Sequence, residues 1–143
     1  MLPYSVAILP SVEGGFVLKD PEYSEEGLQD LQLLAQLVFA EARGEPWQGQ
    51  IAVAAVVLNR LCHPDFPKSI REIIFQPGQF EVVARGLLEQ VPNNLAYEAA
   101  LEALEGSDPT GGSLFFWNPA ETPSASWVWS RAVRTVIGNH VFA

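Results

Sequence analysis

Two glutamates flank a helix break in LVFAEARGEPWQGQIAVAAVVLNR: Glu41 inside an apolar run, and Glu45 just past Arg43-Gly44. At 100° per residue, Leu28, Leu31, Leu34, Ala35, Leu37, Val38 and Ala42 share one wide arc, with Gln29, Gln32, Gln36 and Arg43 opposite. Glu41 falls inside the apolar arc, between the directions of Leu34 and Leu37. It also occupies the last turn, where the helix dipole disfavours negative charge. Burial and dipole both raise a carboxyl pKa. A carboxylic acid kept protonated near neutral pH is what general-acid cleavage of a glycosidic bond requires. Spacing alone leaves a bland alternative open, in which Glu41 edges out to solvent or pairs with a nearby arginine.

Other side chains could serve the same chemistry. Glu45 is either a second carboxylate or the cap before Pro46, and the acid preference of helix N-termini favours the cap. Glu81 is the other candidate carboxylate, with a surface position the simpler reading. Sugars are held by amide hydrogen bonds and by aromatic rings under their apolar faces. Gln79 and Phe80 in QPGQF fit that description, as do Asn118, Ser126 and Trp127 nearer the C-terminus. Phe80 could equally be core, and Trp129 is expected there. Asn59 is expected to cap backbone groups, and His140 to be a satisfied structural histidine. Asp108 and the backbone at Gly111-Gly112 offer oxygen atoms, but their spacing matches no EF-hand loop, so no metal is expected.

The elements that must position these residues can be read in outline. Ser24 suits an N-cap, with Glu25 and Glu26 at the positive end of a helix that runs to about Arg43 and stops at Gly44. Pro46 opens a second helix whose body, IAVAAVVLNRL, is apolar all round and so must be surrounded by others. A short helix is expected at 69–75, then the turn Gln76-Pro77-Gly78, then a helix from Asn93 or Asn94 to Glu105, stopped by Gly106. After the turn at 108–112, LFFWNP reads as a strand, 130–137 as helical, and His140-Val141-Phe142 as a terminal strand. The expected fold class is α+β, predominantly α-helical, with a small antiparallel β element near the C-terminus. Residues 1–23, broken by Pro3, Pro10, Gly14, Gly15 and Pro21, read as a tail or linker with strand-like pieces at 5–9 and Phe16–Leu18; the domain proper is 24–143.

The whole chain sets limits on function. With 143 residues, 48% hydrophobic and 17% charged, it can bury a sizeable core. A net charge of −9, with eight scattered Lys and Arg, argues against a nucleic-acid partner. The single Cys62 excludes an internal disulfide, and two distant histidines make a histidine zinc site improbable. No signal-peptide pattern follows Met1, and the longest apolar run, 51–58, is too short for a transmembrane segment.

Several long blocks then point to one family. AEARGEPWQGQIAVAAVVLNR, FPKSIREIIFQPGQF, ALEGSDPTGG, LFFWNP and SWVWSRAVRTVIGNHVF follow one another over roughly residues 31–142. Together they resemble the bacterial cell wall hydrolases typified by the spore cortex-lytic enzyme SleB. The resemblance implies a lysozyme-like domain that cleaves peptidoglycan glycan strands as a lytic transglycosylase, with no cofactor. It implies one essential glutamate in the AEARGE block, here Glu41. It also implies an extracytoplasmic place of action, in the cell envelope or the spore cortex and coat, during germination. A separate targeting module or accessory protein would direct it. Two rivals remain at this point: a hydrolytic muramidase using Glu45 or Glu81 as second carboxylate, and a non-catalytic glycan-binding module.

Overall fold

A computed structural model describes residues 24–143 and, ahead of them, two strands, β1 (Ile8–Pro10) and β2 (Phe16–Leu18), paired antiparallel with Ile8 opposite Leu18. The expected strand-like piece at Phe16–Leu18 is therefore a strand. The one at 5–9 meets β1 at Ile8 and Leu9, and its residues 5–7 lie outside the described residues.

Helix α1 (Glu25–Ala42) starts where Ser24 Oγ accepts a hydrogen bond from the Gly27 amide at 3.1 Å, with Glu25 and Glu26 in its first turn. It gives way at Gly44, whose φ of +85° suits glycine. The apolar arc does bury: Leu34, Ala35, Leu37, Val38 and Ala42 are fully enclosed, while Leu28 at the far end stays exposed. Helix α2 (Trp47–Leu61) is buried without a break from Gly49 to Leu58, as an all-apolar helix must be. It packs against α1 and against α5 (Asn94–Leu104), which Asn93 caps by accepting from the Ala96 amide at 2.9 Å. The short α3 (Ile70–Ile74) adds Ile70, Ile73 and Ile74 to the same core, and α4 (Glu81–Ala84) is a single turn beside α1.

The loop after α5 is clamped by Asp108. Its Oδ1 accepts from the Thr110 amide (2.8 Å) and hydroxyl (2.6 Å), and its Oδ2 from Asn59 Nδ2 (2.9 Å) and the Gly112 amide (2.8 Å). Burial pushes this carboxyl's pKa up, but the four donors outweigh it and hold the group below the usual range. Both oxygens are thus engaged by the protein itself. Asn59 also donates to the Ser113 carbonyl at 3.0 Å, a backbone-satisfying role at the end of α2 as expected. Asp108→Ala is expected to lower unfolding free energy by about 1–3 kcal/mol in urea titration, because Thr110 and Asn59 lose their acceptor.

The C-terminal sheet has the order β3-β5-β4, from β3 (Phe116–Trp117), β4 (Thr135–Ile137) and β5 (His140–Phe142), all antiparallel. Two expectations fail here. Residues 130–137 do not form a helix: a 3₁₀ turn, Trp127–Ser130, leads through extended chain into β4. The β-branched Val133, Thr135, Val136 and Ile137 favour strand, and Gly138-Asn139 closes a two-residue hairpin with φ +58° at Gly138 alone. Nor is Trp129 the core tryptophan. It is 45% exposed, with Nε1 donating to the Pro123 carbonyl, whereas Trp117 is only 6% exposed. Strand pairing opposite Val141 draws Trp117 inward, while Trp129 rides on the surface turn.

Candidate active site

A cleft of about 820 Å3 is lined by the end of α1, the loop into α4, and the C-terminal sheet with its loops. Glu41, Gln79, Phe80, Asn118, Ser126 and Trp127, picked from separate stretches of sequence, all line it.

Glu41 is held there by the core behind it. Rotating α1 enough to free its carboxyl would uncover Leu34 and Leu37, each contributing roughly 1.5–3 kcal/mol by burial. Desolvation therefore acts on the acid instead, and its pKa rises to about 7, with Glu81 and Glu121 adding like-charge repulsion. At neutral pH a large fraction of Glu41 carries a proton. Glu81 is exposed, as expected of a surface carboxylate, yet it lines the same cleft.

Glu45 behaves differently. It does not cap α2, whose N-cap position is Pro46, with no side-chain cap bond. Its Oε1 accepts from the Asn139 amide and its Oε2 from Asn139 Nδ2, both at 2.8 Å, so the carboxylate fastens the hairpin turn to the start of α2. The chain separation between the two residues is why sequence spacing suggested a cap instead. Burial raises its pKa, but the Asn139 donors and nearby His140 prevail and lower it. Two glutamates one turn apart thus have opposite shifts, the pattern that separates a proton donor from a permanently ionised partner.

His140 is buried between the Phe116 and Phe142 rings, centroids 5.3 and 6.2 Å away. Burial holds its pKa below the ordinary histidine value against the pull of Glu45 and Glu121. It is not the satisfied histidine expected: Nδ1 lies 3.6 Å from Glu45 Oε1 and has no hydrogen-bond partner, and the residue lines the cleft.

Arg60, at the end of α2, organises the aromatic wall. Only 3% exposed, it donates from Nε to the Leu114 carbonyl (2.6 Å) and from Nη1 to Gln79 Oε1 (3.1 Å). Its guanidinium sits 5.0–5.1 Å from the ring centroids of Phe66, Phe80 and Phe115. Burial lowers its pKa to about 10, which leaves it charged at neutral pH. With its oxygen held, Gln79 has the amide nitrogen to offer a ligand. Phe80, 5% exposed and stacked on Phe116 at 6.0 Å, belongs to the floor rather than to an open platform. Trp127 is 57% exposed and set edge-on to Phe115 at 5.2 Å, so it presents free ring surface. Ser126 Oγ accepts from the Val128 amide and caps the turn that carries Trp127. Asn118 accepts from the Ala120 amide through Oδ1 and from Thr122 through its carbonyl, shaping the loop that brings Glu121 to the cleft.

Sequence reasoning missed Arg60, Glu121 and Asn139. Arg60 carried a signal, the one charged side chain on a helix with a long apolar body; Glu121 and Asn139 carried none. Among the described residues no group of three or more His, Cys, Asp or Glu side chains is arranged to hold a metal ion.

The model of the cell wall hydrolase family matches residues 44–143, well over half the chain. The chain belongs to the cell wall hydrolase family. This cell wall hydrolase is 49% identical over 113 residues to the spore cortex-lytic enzyme of Halalkalibacterium halodurans, covering 79% of this chain and 34% of that enzyme. It is 48% identical over 113 residues to the spore cortex-lytic enzyme of Bacillus subtilis, covering 79% of this chain and 37% of that enzyme. The chain thus spans little more than a third of these curated relatives. Its fold matches the catalytic domain of the germination-specific lytic transglycosylase SleB from Bacillus anthracis, with a TM-score of 0.75 and 42% identity. That match covers 86% of this chain and 98% of the solved domain. The predominantly helical α+β class with a late antiparallel sheet is therefore the family's fold. No helix among the described residues is long and apolar enough to cross a membrane.

Proposed function

We propose that this cell wall hydrolase is a peptidoglycan lytic transglycosylase with Glu41 as its single acid/base. It breaks the bond from N-acetylmuramic acid to N-acetylglucosamine and leaves 1,6-anhydro-muramic ends. The observation that carries the reading is a carboxyl group with a pKa near 7 in a cleft offering amides and an open tryptophan face. Glu41 gives its proton to the glycosidic oxygen as the bond from muramic C1 to that oxygen breaks. The resulting carboxylate takes the proton of the muramic C6 hydroxyl as O6 closes on C1. No water is consumed, and Glu41 ends protonated as it began. The solved SleB domain, named a germination-specific lytic transglycosylase, supports this chemistry.

The hydrolytic alternative needs a second carboxylate free to activate water or attack carbon. Both oxygens of Glu45 are occupied by Asn139, so Glu45 does not support it; Glu81, which lines the cleft, is the carboxylate that hydrolysis would have to use. By analogy with the spore cortex-lytic enzymes, the place of action is the spore cortex within the cell envelope, the substrate its glycan strands, and the occasion germination, with targeting by a separate module or accessory protein. Mass spectrometry of muropeptides released from cortex-type peptidoglycan tests the reading: anhydro ends support it, and reducing ends refute it in favour of hydrolysis.

The raised pKa also sets the pH dependence. Glu41 must be protonated to act as acid, so kcat/KM is expected to be level below about pH 7 and to fall roughly tenfold per unit above it. A pH series of initial rates on soluble glycan strands measures this. Activity that climbs from pH 7 to 9 would remove Glu41 from the acid role.

A further inference from the structure

The residues that follow Trp127 and Val128 at the cleft line a second pocket, of about 400 Å3, which includes Leu114, Ser130, Arg131, Val133 and Arg134. Two of the chain's eight Lys and Arg stand here within four residues of each other, against seventeen Asp and Glu overall. Both are exposed, and neither forms an ion pair among the described residues. Both are nonetheless held. The Arg131 guanidinium lies 4.1 Å from the Phe115 ring centroid, and Arg134 Nη1 donates to the Gly111 carbonyl at 3.1 Å. Phe115 joins the two pockets: its ring lines the cleft, meets Trp127 on edge, and carries Arg131.

Guanidinium groups restrained in this way lose less freedom on binding, and their planar forks match a carboxylate. Leu114, Ala132 and Val133 supply apolar surface beside them, suited to a small side chain such as a methyl group. A peptidoglycan strand carries both parts at once, a neutral glycan and a short pendant peptide with carboxylates. We propose that Arg131 and Arg134 form a carboxylate-binding subsite for the stem peptide, beside the cleft that takes the glycan. This rests on the reading of the chain as a peptidoglycan enzyme. A chain of net charge −9 repels an acidic peptide in general, so any preference for one must come from local cations.

Binding can be measured without cleavage by placing the substitutions in a Glu41→Gln background. The probe is insoluble, teichoic-acid-free peptidoglycan, used intact and after an amidase has removed its stem peptides. The parent is expected to bind the intact wall roughly tenfold to a hundredfold more tightly than the stripped wall, and Arg131→Gln/Arg134→Gln to bind both alike. Arg131→Lys, keeping charge without the fork, is expected to restore only part of the preference. No preference in the parent overturns the proposal, as does a preference that survives in the double variant. Equal loss on both walls also overturns it and makes Arg131 a mere support for Phe115. Failure of the lytic reading is separate: wild type would release no anhydro ends from either wall.

Discussion

Glu41→Gln is expected to leave a folded protein whose release of anhydro-muropeptides falls by roughly 10²–10⁴-fold, the range for loss of a general acid. Glutamine keeps the size and most of the hydrogen-bonding shape of the protonated acid but has no proton to give. The loss should appear in kcat more than in retention on the wall, since the cleft amides and Trp127 are untouched. Stability should move the other way. A carboxyl whose folded pKa of about 7 exceeds its ordinary value of 4.5 binds protons more tightly when folded. Its ionisation therefore costs stability progressively as pH rises from about 4.5 through 7, and the full cost persists above that. Glutamine removes that cost, a gain of at most about 3 kcal/mol above pH 7 and none below pH 4. Denaturant titrations at pH 4 and pH 8 separate the two regimes. A variant both inactive and less stable at pH 8 would mean that Glu41 is structural.

Gly138→Ala is expected to cost about 2–5 kcal/mol and to cripple the cleft. A Cβ at this position would meet Glu45 Oε1 at 2.6 Å and Pro46 Cδ at 2.7 Å, neither of which can retreat freely. Glu45 is fixed by Asn139, and Pro46 is the first step into the central helix. The backbone φ of +58° adds roughly 1–2 kcal/mol for any L side chain, and relief of the overlap roughly 1–3 kcal/mol more. Moving the hairpin withdraws Asn139 and His140, both of which line the cleft. Gly86→Ala is the control. Its φ is +70°, close to that of Gly138, but a Cβ there would meet nothing within 4 Å, so only the backbone cost applies. Equal destabilisation of the two variants in urea would show that the contact with Glu45 and Pro46 is unimportant.

Much of the helical part was legible because its causes are local or periodic. Ser24, Ser69 and Asn93 cap the helices that follow them, and an apolar stretch with no polar face had to become the central helix. The late sheet was only partly legible. A run such as Ala132-Val133-Arg134-Thr135-Val136-Ile137 can read as helix or strand, and pairing with β5 decided between them. The choice of Trp129 over Trp117 as core failed for the same reason, since burial of an aromatic depends on which strand draws it in.

The active site divides along the same line. By itself the sequence placed Glu41 in the direction of the apolar arc of α1, because 3.6-residue periodicity and a helix end are properties of one segment, while its burial was left open. It also marked the amide and aromatic stretches that line the cleft. Only the tertiary structure decided what Glu45 does, because its partner Asn139 is 94 residues away. The same holds for Arg60 gripping Gln79, for Glu121 raising the pKa of Glu41, and for the pairing of Arg131 with Phe115. Charge and desolvation act through space over a few ångströms, and chain order does not encode which distant side chains will share that space.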